Sequence, residues 1–392
     1  MGVLRARIIF ARKHFFLFTE ETTMQRREFL KKAAAGAAAG AVATPVLSQQ
    51  QQAVLPTISW RLPSSFPKSL DTLFGGADQF TKRVAQMTGN KFQIRAFAAG
   101  EIVPPLQVLD AVQAGTVEMG HTASYYYAGK DPAFAFDTTL PFGLNTRQQN
   151  AWMYSGGGLE LIRALYKDHG AVQFPGGNTG AQMGGWFRKE IKTVADLKGL
   201  KMRIPGIQGM MLAKLGVVPQ QIAGGDIYSA LERGTIDAAE WVGPYDDEKL
   251  GFAKVAKYYY YPGFWEGTAQ LVFLVNQKKW DELPAEYKAI IEAAAAEANI
   301  HMTAQYDTKN PQAMRRLVAG GAQLRPFPKP VMEAAYKAAF ELYDELAAKS
   351  PHFKRIYEPW LAYREDQYLW FRVAENTYDN FVYSHTANAK KK

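Results

Sequence analysis

Glu240 and Glu266 each stand beside a tryptophan, in the pairs Glu240-Trp241 and Trp265-Glu266. A carboxylate in an apolar cleft needs a partner, so these two residues are where chemistry is best sought. Two carboxylates offer hard oxygen donors that suit Na+ or Ca2+ and not zinc. The same pair beside a metal could also do acid–base work in a hydrolase or lyase, or both could be solvated loop residues. Arg203 carries a planar, permanently charged fork that matches a carboxylate. The alternation of Leu200, Met202 and Ile204 with Lys201 and Arg203 would by itself put that arginine on the outer face of an edge strand. Hydroxyls come in a run at Ser124 and Tyr125–Tyr127. Tyr126 shares strand parity with Ser124, which ranks those two first as ligand contacts. His121 reads as structural, and Asp246 and Asp247 as surface or helix-start residues.

These groups are placed by an internal echo. LDAVQAGTVEMGHT (109–122) matches YSALERGTIDAAEW (228–241) in residue class at most core positions. Each copy reads as the end of an amphipathic helix, a glycine, a short β-branched strand, then a break. Ligands of open α/β sheets bind beyond the carboxyl ends of the strands, so the two copies aim residues 120–127 and 240–243 at one cleft between two lobes. The first lobe is expected over 49–180 plus 268–283 and the second over 181–267. Glycine-rich 176–187 and apolar 268–275 supply an outward and a returning crossing, as a hinged binder requires. A long helix over 284–329, with a kink before Pro311, spans both lobes. Residues 330–392 form C-terminal helices laden with aromatics from Tyr357 to Tyr383, which must bury against the lobes or a second subunit.

Composition narrows the classes. The chain of 392 residues has 47% hydrophobic and 21% charged residues, an ordinary globular balance. Its net charge of +9 is terminal: residues 1–48 hold eight Lys/Arg against three Asp/Glu, Lys390–Lys392 add three more, and 49–389 are near +1. That distribution lacks the basic stripe of a nucleic-acid binder. There is no cysteine, which removes disulfides, thiolate nucleophiles and Cys-based zinc sites. The six histidines (14, 121, 169, 301, 352, 385) are scattered with no i, i+4 pair, so no His-rich metal site is expected. From Met24 the chain reads as an export signal: Arg26-Arg27, Phe29-Leu30, then the Ala/Gly/Val run 33–43. That run is too short for a membrane anchor. Cleavage is expected near Ala43 or Ser48, residues 1–23 precede the better start, and the mature protein belongs in the periplasm. No Ser-His-Asp order, Walker or dinucleotide glycine pattern marks an enzyme.

KTVADLKGLKMRIPG (192–206) and ALERGTIDAAEWVGPYDD (230–247), with NTGAQMGGWF and YYYYPGFWEG, resemble the extracytoplasmic solute receptors of tripartite ATP-independent periplasmic (TRAP) transporters, the DctP type. The motifs narrow the resemblance to the subgroup that binds small 2-oxo or 2-hydroxy monocarboxylates with a metal ion. It implies an α/β, two-lobe periplasmic binding protein of the Venus-flytrap kind, without enzymatic activity, which captures a solute of the pyruvate or lactate class for membrane permease subunits. It also implies that Arg203 pairs with the ligand carboxylate, and that Gln182, the Glu240 side chain and the Trp241 carbonyl hold a Na+ or Ca2+ ion bridging to the ligand. Glu266 then contributes to the cation or the ligand, and a homodimer forms by exchange of a C-terminal helix.

Overall fold

A computed structural model describes residues 55–389. The twin-arginine segment, the extension before it and the expected cleavage points lie outside the described residues. Alternating apolar residues give β1 (Ile58–Pro63) and β2 (Phe92–Phe97), which pair in parallel with Ile58 opposite Phe92. The helix Leu73–Met87 connects them and buries Leu73, Phe74, Phe80 and Val84 at helical spacing. The strands β3 (Met119–Thr122) and β4 (Ala171–Asn178) flank β10 (Gln270–Asn276), antiparallel to both. A bridge between Ser64 and His121 joins this trio to β1, giving the first lobe a strand order β2-β1-β3-β10-β4. β4 and β10 are buried at every position, the polar Gln173, Asn178, Gln270 and Asn276 included, because both faces of the sheet are covered.

The second lobe is built on a mixed sheet of β5 (Gly185–Phe187), β6 (Lys201–Arg203), β7 (Val218–Gln220), β8 (Ala238–Ala239), β9 (Tyr258–Tyr261) and β11 (Gln323–Pro326), in the order β11-β9-β5-β8-β6-β7. β6 and β8 run parallel with Arg203 opposite Ala239. That register sets Arg203 beside the residue that follows β8, which is Glu240.

The two copies of the sequence echo fold alike. The helices Val108–Gln113 and Ile227–Glu232 are followed by Gly115 and Gly234, at φ +69° and +70°, the left-handed conformation that only glycine adopts without strain. The next N–H groups, of Thr116 and Thr235, return to the carbonyls of Ala111 and Ala230, each at 3.0 Å. Because Thr116–Val117 and Thr235–Ile236 are spent on these caps, the strands begin later than the β-branched residues predict, at Met119 and Ala238.

Two crossings link the lobes, 179–184 and 262–269, and they run side by side. Thr179 N–H donates to the Ala269 carbonyl at 3.0 Å, Gln182 N–H to Glu266 at 3.3 Å, and Gly263 N–H to Gln182 at 3.1 Å. The long helix runs Ala285–Ala319 with Pro311 inside it. Its expected extent to 329 is corrected, since Gly320 and Gly321 end it and Gln323–Pro326 join the second sheet beside β9. Its buried side, from Tyr287 through Ala298 to Tyr306 and Leu317, packs on β4 in one lobe and on the helix Pro244–Leu250 in the other.

The C-terminal aromatics divide. In the helix Pro351–Val373, Phe353, Tyr357 and Trp360 are buried around Phe136 of the first lobe. Leu369, Trp370 and Val373, with Tyr378, Phe381 and Tyr383 of the helix Glu375–Ala389, are exposed. Among the described residues no helix is long and apolar enough to cross a membrane.

Candidate ligand and cation site

Arg203 is 1% exposed, so the alternation that placed it on an outer face is misleading here. β6 lies inside the second sheet, flanked by β7 and β8, and Arg203 is its last residue. The guanidinium is fixed on three sides. Nε donates to the Ile222 carbonyl at 3.1 Å, and Nη1 donates to the Glu240 carbonyl at 2.6 Å and to Glu240 Oε2 at 2.9 Å. The Trp241 ring packs 4.9 Å from its central carbon, a cation–π contact worth more when desolvated, as here. Burial raises the Tyr126 hydroxyl well above its ordinary range, opposed by the charge of Arg203.

Glu240 and Glu266 are both fully buried. Glu266 sits on the returning crossing and Gln182 on the outgoing one, so the paired crossings bring the second carboxylate and the amide toward Arg203. Burial pushes Glu240 up to about 8, opposed by Arg203 and reinforced by Asp247. Burial and then the charge of Glu240 drive Glu266 well above the usual carboxylate range, with Arg203 and Tyr125 pulling it down. One guanidinium thus faces two carboxylates away from water.

The fit to a cation can be tested on the oxygens. Glu240 Oε1, Glu266 Oε2, Gln182 Oε1 and Gln208 Oε1 are buried with no hydrogen-bond partner among the described residues. The other atom of each group is engaged: Gln182 Nε2 donates to Thr179 at 3.0 Å and Gln208 Nε2 to Glu266 Oε1 at 3.4 Å. A buried acceptor left unmade costs about 1–3 kcal/mol, more when charged. These four acceptors are borne by side chains that the Gln208–Glu266 contact and the paired crossings link to one another, and they are hard-oxygen donors of the kind Na+ and Ca2+ take. Beside them Phe66, Tyr125, Tyr126, Thr179, Gln182 and Trp241 line a cavity of about 10 Å³, room for about one water-sized group. A roomier groove of about 560 Å³, between the helices Leu73–Met87 and Ala285–Ala319, shares none of these residues.

Of the predicted site residues, the structure brings together Arg203, Glu240, Trp241, Glu266, Gln182 and Tyr126. Ser124 is a correction. Residues 124–127 form a 3-10 turn, not a strand, and three residues per turn put Ser124 and Tyr127 on one side and Tyr125 and Tyr126 on the other. The Ser124 hydroxyl donates to Asp137 at 2.6 Å and accepts from Tyr166 at 2.7 Å, inside the first lobe. Tyr127 is tied to Thr122 and Leu109. The turn is held close by Gly206 at φ +51°, where a Cβ would stand 2.6 Å from the Tyr125 carbonyl.

Asp246 and Asp247 begin a helix as expected but are buried rather than on the surface. Asp246 accepts from Thr72 at 2.9 Å and Tyr306 at 2.7 Å; Asp247 accepts from Trp186 at 3.0 Å and Tyr259 at 2.7 Å. His121, the counterpart of Glu240 in the echo, is structural: it meets Ser64 at 3.0 Å, stacks on Phe273, and burial lowers it to about 3, hence neutral. Sequence reasoning missed Gln208 and Phe66. Neither lies in the echo, and no spacing marks them.

A family profile, bacterial extracellular solute-binding protein family 7, matches residues 64–350. The chain is 57% identical, over 85% of its length and 91% of the relative, to a monocarboxylate 2-oxoacid-binding periplasmic protein of Nostoc sp.. Among solved structures, a TRAP transporter solute-binding protein of Bordetella bronchiseptica superposes with TM-score 0.84 at 58% identity, covering 85% of this chain and 99% of that one. It is a mixed-occupancy dimer with copurified calcium and picolinate in one site and the other site apo. A TRAP periplasmic solute-binding protein of Pseudoalteromonas atlantica, with bound sodium and pyruvate, superposes with TM-score 0.80 at 43% identity over 83% of this chain and 99% of that one. With a profile spanning most of the described residues and a relative of such identity along nearly its whole length, the chain belongs to family 7 of the bacterial extracellular solute-binding proteins.

Proposed function

We propose that this protein is the periplasmic receptor of a TRAP transporter, taking up a small 2-oxo or 2-hydroxy monocarboxylate of the pyruvate or lactate class together with one Na+ or Ca2+ ion and delivering it to the membrane permease. The observation that carries this reading is the meeting, in one buried site, of a fixed guanidinium with carboxylate and amide oxygens that have no partner. In this reading Arg203 receives the ligand carboxylate. Gln182, Glu240, Glu266 and the Trp241 carbonyl hold the cation, and Tyr125 and Tyr126 close the site from the first lobe. Two like charges about 4 Å apart repel by about 4 kcal/mol at an effective dielectric of 20, so an anionic ligand needs the cation beside the two glutamates. The relatives with calcium or sodium beside a small carboxylate support it.

The lobes then part at about residues 180 and 268, where the crossings lie. Export follows the twin-arginine route, and the exposed apolar residues of the last two helices pack against a second copy. A standard interface buries roughly 1,200–2,000 Å², and light scattering on protein lacking 369–392 should then report a monomer.

A thermal-shift screen of the purified mature protein tests the ligand class. At 100 times its dissociation constant, a 2-oxo or 2-hydroxy monocarboxylate adds about 2.7 kcal/mol. Stabilisation by sugars or amino acids, and by none of these acids, would defeat the reading. Turnover of pyruvate or lactate would instead favour a metal-dependent enzyme that uses the two glutamates as acid and base.

A further inference from the structure

We infer a second metal site, for a borderline divalent transition ion such as Zn2+, at Asp131, His169 and His352. One ligand atom from each lies within 4.8 Å of the others. The three residues come from separate elements. Asp131 precedes the turn Pro132–Phe134, His169 caps the helix Gly158–Asp168, and His352 is in the first turn of the helix Pro351–Val373.

The three ligand atoms converge: Asp131 Oδ2 and His352 Nδ1 are hydrogen-bonded to one another, a contact that an ion would replace, and His169 Nε2 lies beside them without a partner among the described residues. Asp131 Oδ1 accepts from the Ala133 N–H at 2.9 Å, which turns Oδ2 toward both imidazoles, 2.5 Å from His352 Nδ1 and 3.6 Å from His169 Nε2. His169 Nε2 is buried and makes no hydrogen bond among the described residues, while its ring is wedged 4.7 Å from Phe134 and 6.1 Å from His352. Two imidazoles and one carboxylate make a donor set unlike the all-oxygen set at Glu240, and nitrogen donors select zinc-like ions over Na+ or Ca2+. The His352 side chain is 36% exposed and its Nε2 lies 3.5 Å from the surface carboxylate of Asp168. An ion can therefore enter from solvent, while Asp168 steadies the outer edge of the ring whose Nδ1 faces Asp131. Bound, it would pin the start of the C-terminal helix to the first lobe. This site is independent of the solute reading.

The test uses untagged, chelator-treated mature protein saturated with Ca2+, so that the oxygen site is filled, and titrates Zn2+ by calorimetry with Co2+ absorption as a second readout. One equivalent of Zn2+ per chain is expected, with a rise in melting temperature. His352→Gln, at a partly exposed position, should keep the fold and pyruvate affinity but weaken Zn2+ at least tenfold; Asp131→Asn should do the same. No stoichiometric Zn2+ uptake, or equal uptake by wild type and His352→Gln, overturns the site. Uptake that is lost in Glu240→Gln and kept in His352→Gln puts the ion in the solute cleft and also overturns it.

Discussion

The buried acidic residues Asp137, Asp246, Asp247, Glu240 and Glu266 fall into two groups, and their hydrogen bonds separate them. In the first lobe, both oxygens of Asp137 are answered: Oδ2 by Ser124 at 2.6 Å, and Oδ1 by the amides of Gln173 at 2.6 Å and Gln270 at 3.0 Å. Asp246 is answered in the same way by two hydroxyls, and Asp247 by a hydroxyl and an indole at Oδ2 and by the Val242 N–H at Oδ1. In the cleft, Glu240 and Glu266 each keep one oxygen without a partner among the described residues, and the ionic help they have there comes from Arg203. Burial raises the proton affinity of all of them, so a shifted pKa does not tell them apart. The spare lone pairs do. A carboxylate whose oxygens are both satisfied holds a fold together; one that keeps an oxygen free, after β8 or on a crossing, has a lone pair left for a group that the fold does not supply.

That contrast predicts that mutations in the two groups fail differently. Arg203→Ala should weaken carboxylate binding by about 2–5 kcal/mol, because it strands buried Glu240 and removes the fork, and Arg203→Lys should fall between. Near-native affinity of Arg203→Ala in calorimetry would take Arg203 out of the site. Asp137→Ala should instead cost about 1–3 kcal/mol of stability through the donors it leaves unmet, with the affinity of the folded protein unchanged. A large affinity loss there would erase the distinction between the groups.

Acid should sharpen it. Burial pushes Asp137 and Asp247 each up to about 7, from an ordinary 3.8. The folded state therefore binds protons that the unfolded chain has released, and the stability these groups contribute is complete below about pH 4 and lost as pH rises through 7. Melts of ligand-saturated protein should show stability declining from pH 5 to 8, and Asp137→Asn should flatten the slope. A rise over that window would contradict the assignment. The smallest effect separates neighbours on one turn. Tyr126→Phe should lower ligand affinity by about 0.5–1.5 kcal/mol, whereas Ser124→Ala should spend a similar amount on stability alone.

The carboxylates were legible because each stands next to a tryptophan, Glu240 also after a repeated helix–glycine–strand unit, whereas Arg203 was marked only by the resemblance of KTVADLKGLKMRIPG to a known family. The echo held down to its caps, since Gly115 and Gly234 share one conformation. What failed was parity. Ser124 was assigned by a period of two in a segment that turns with a period of three, and Arg203 looked exposed because β6 has neighbours on both sides that its own residues do not announce. Gln208 was invisible for a related reason: its place beside Glu266 depends on chain more than fifty residues away. Distance along the chain also hid the cluster of Asp131, His169 and His352, which no local spacing relates.

The central claim is that the unpartnered oxygens of the cleft hold a cation on which solute binding depends, and linkage makes that dependence reciprocal. It is tested most directly by titrating pyruvate into exhaustively chelated protein in sodium-free buffer, and again after adding Ca2+ or Na+. The account predicts at least a tenfold weaker affinity without either ion, restored by one of them and not restored in Glu240→Gln. Equal affinity under all conditions would mean that no dissociable Na+ or Ca2+ supports the site and that the free oxygens of Glu240 and Glu266 serve another purpose.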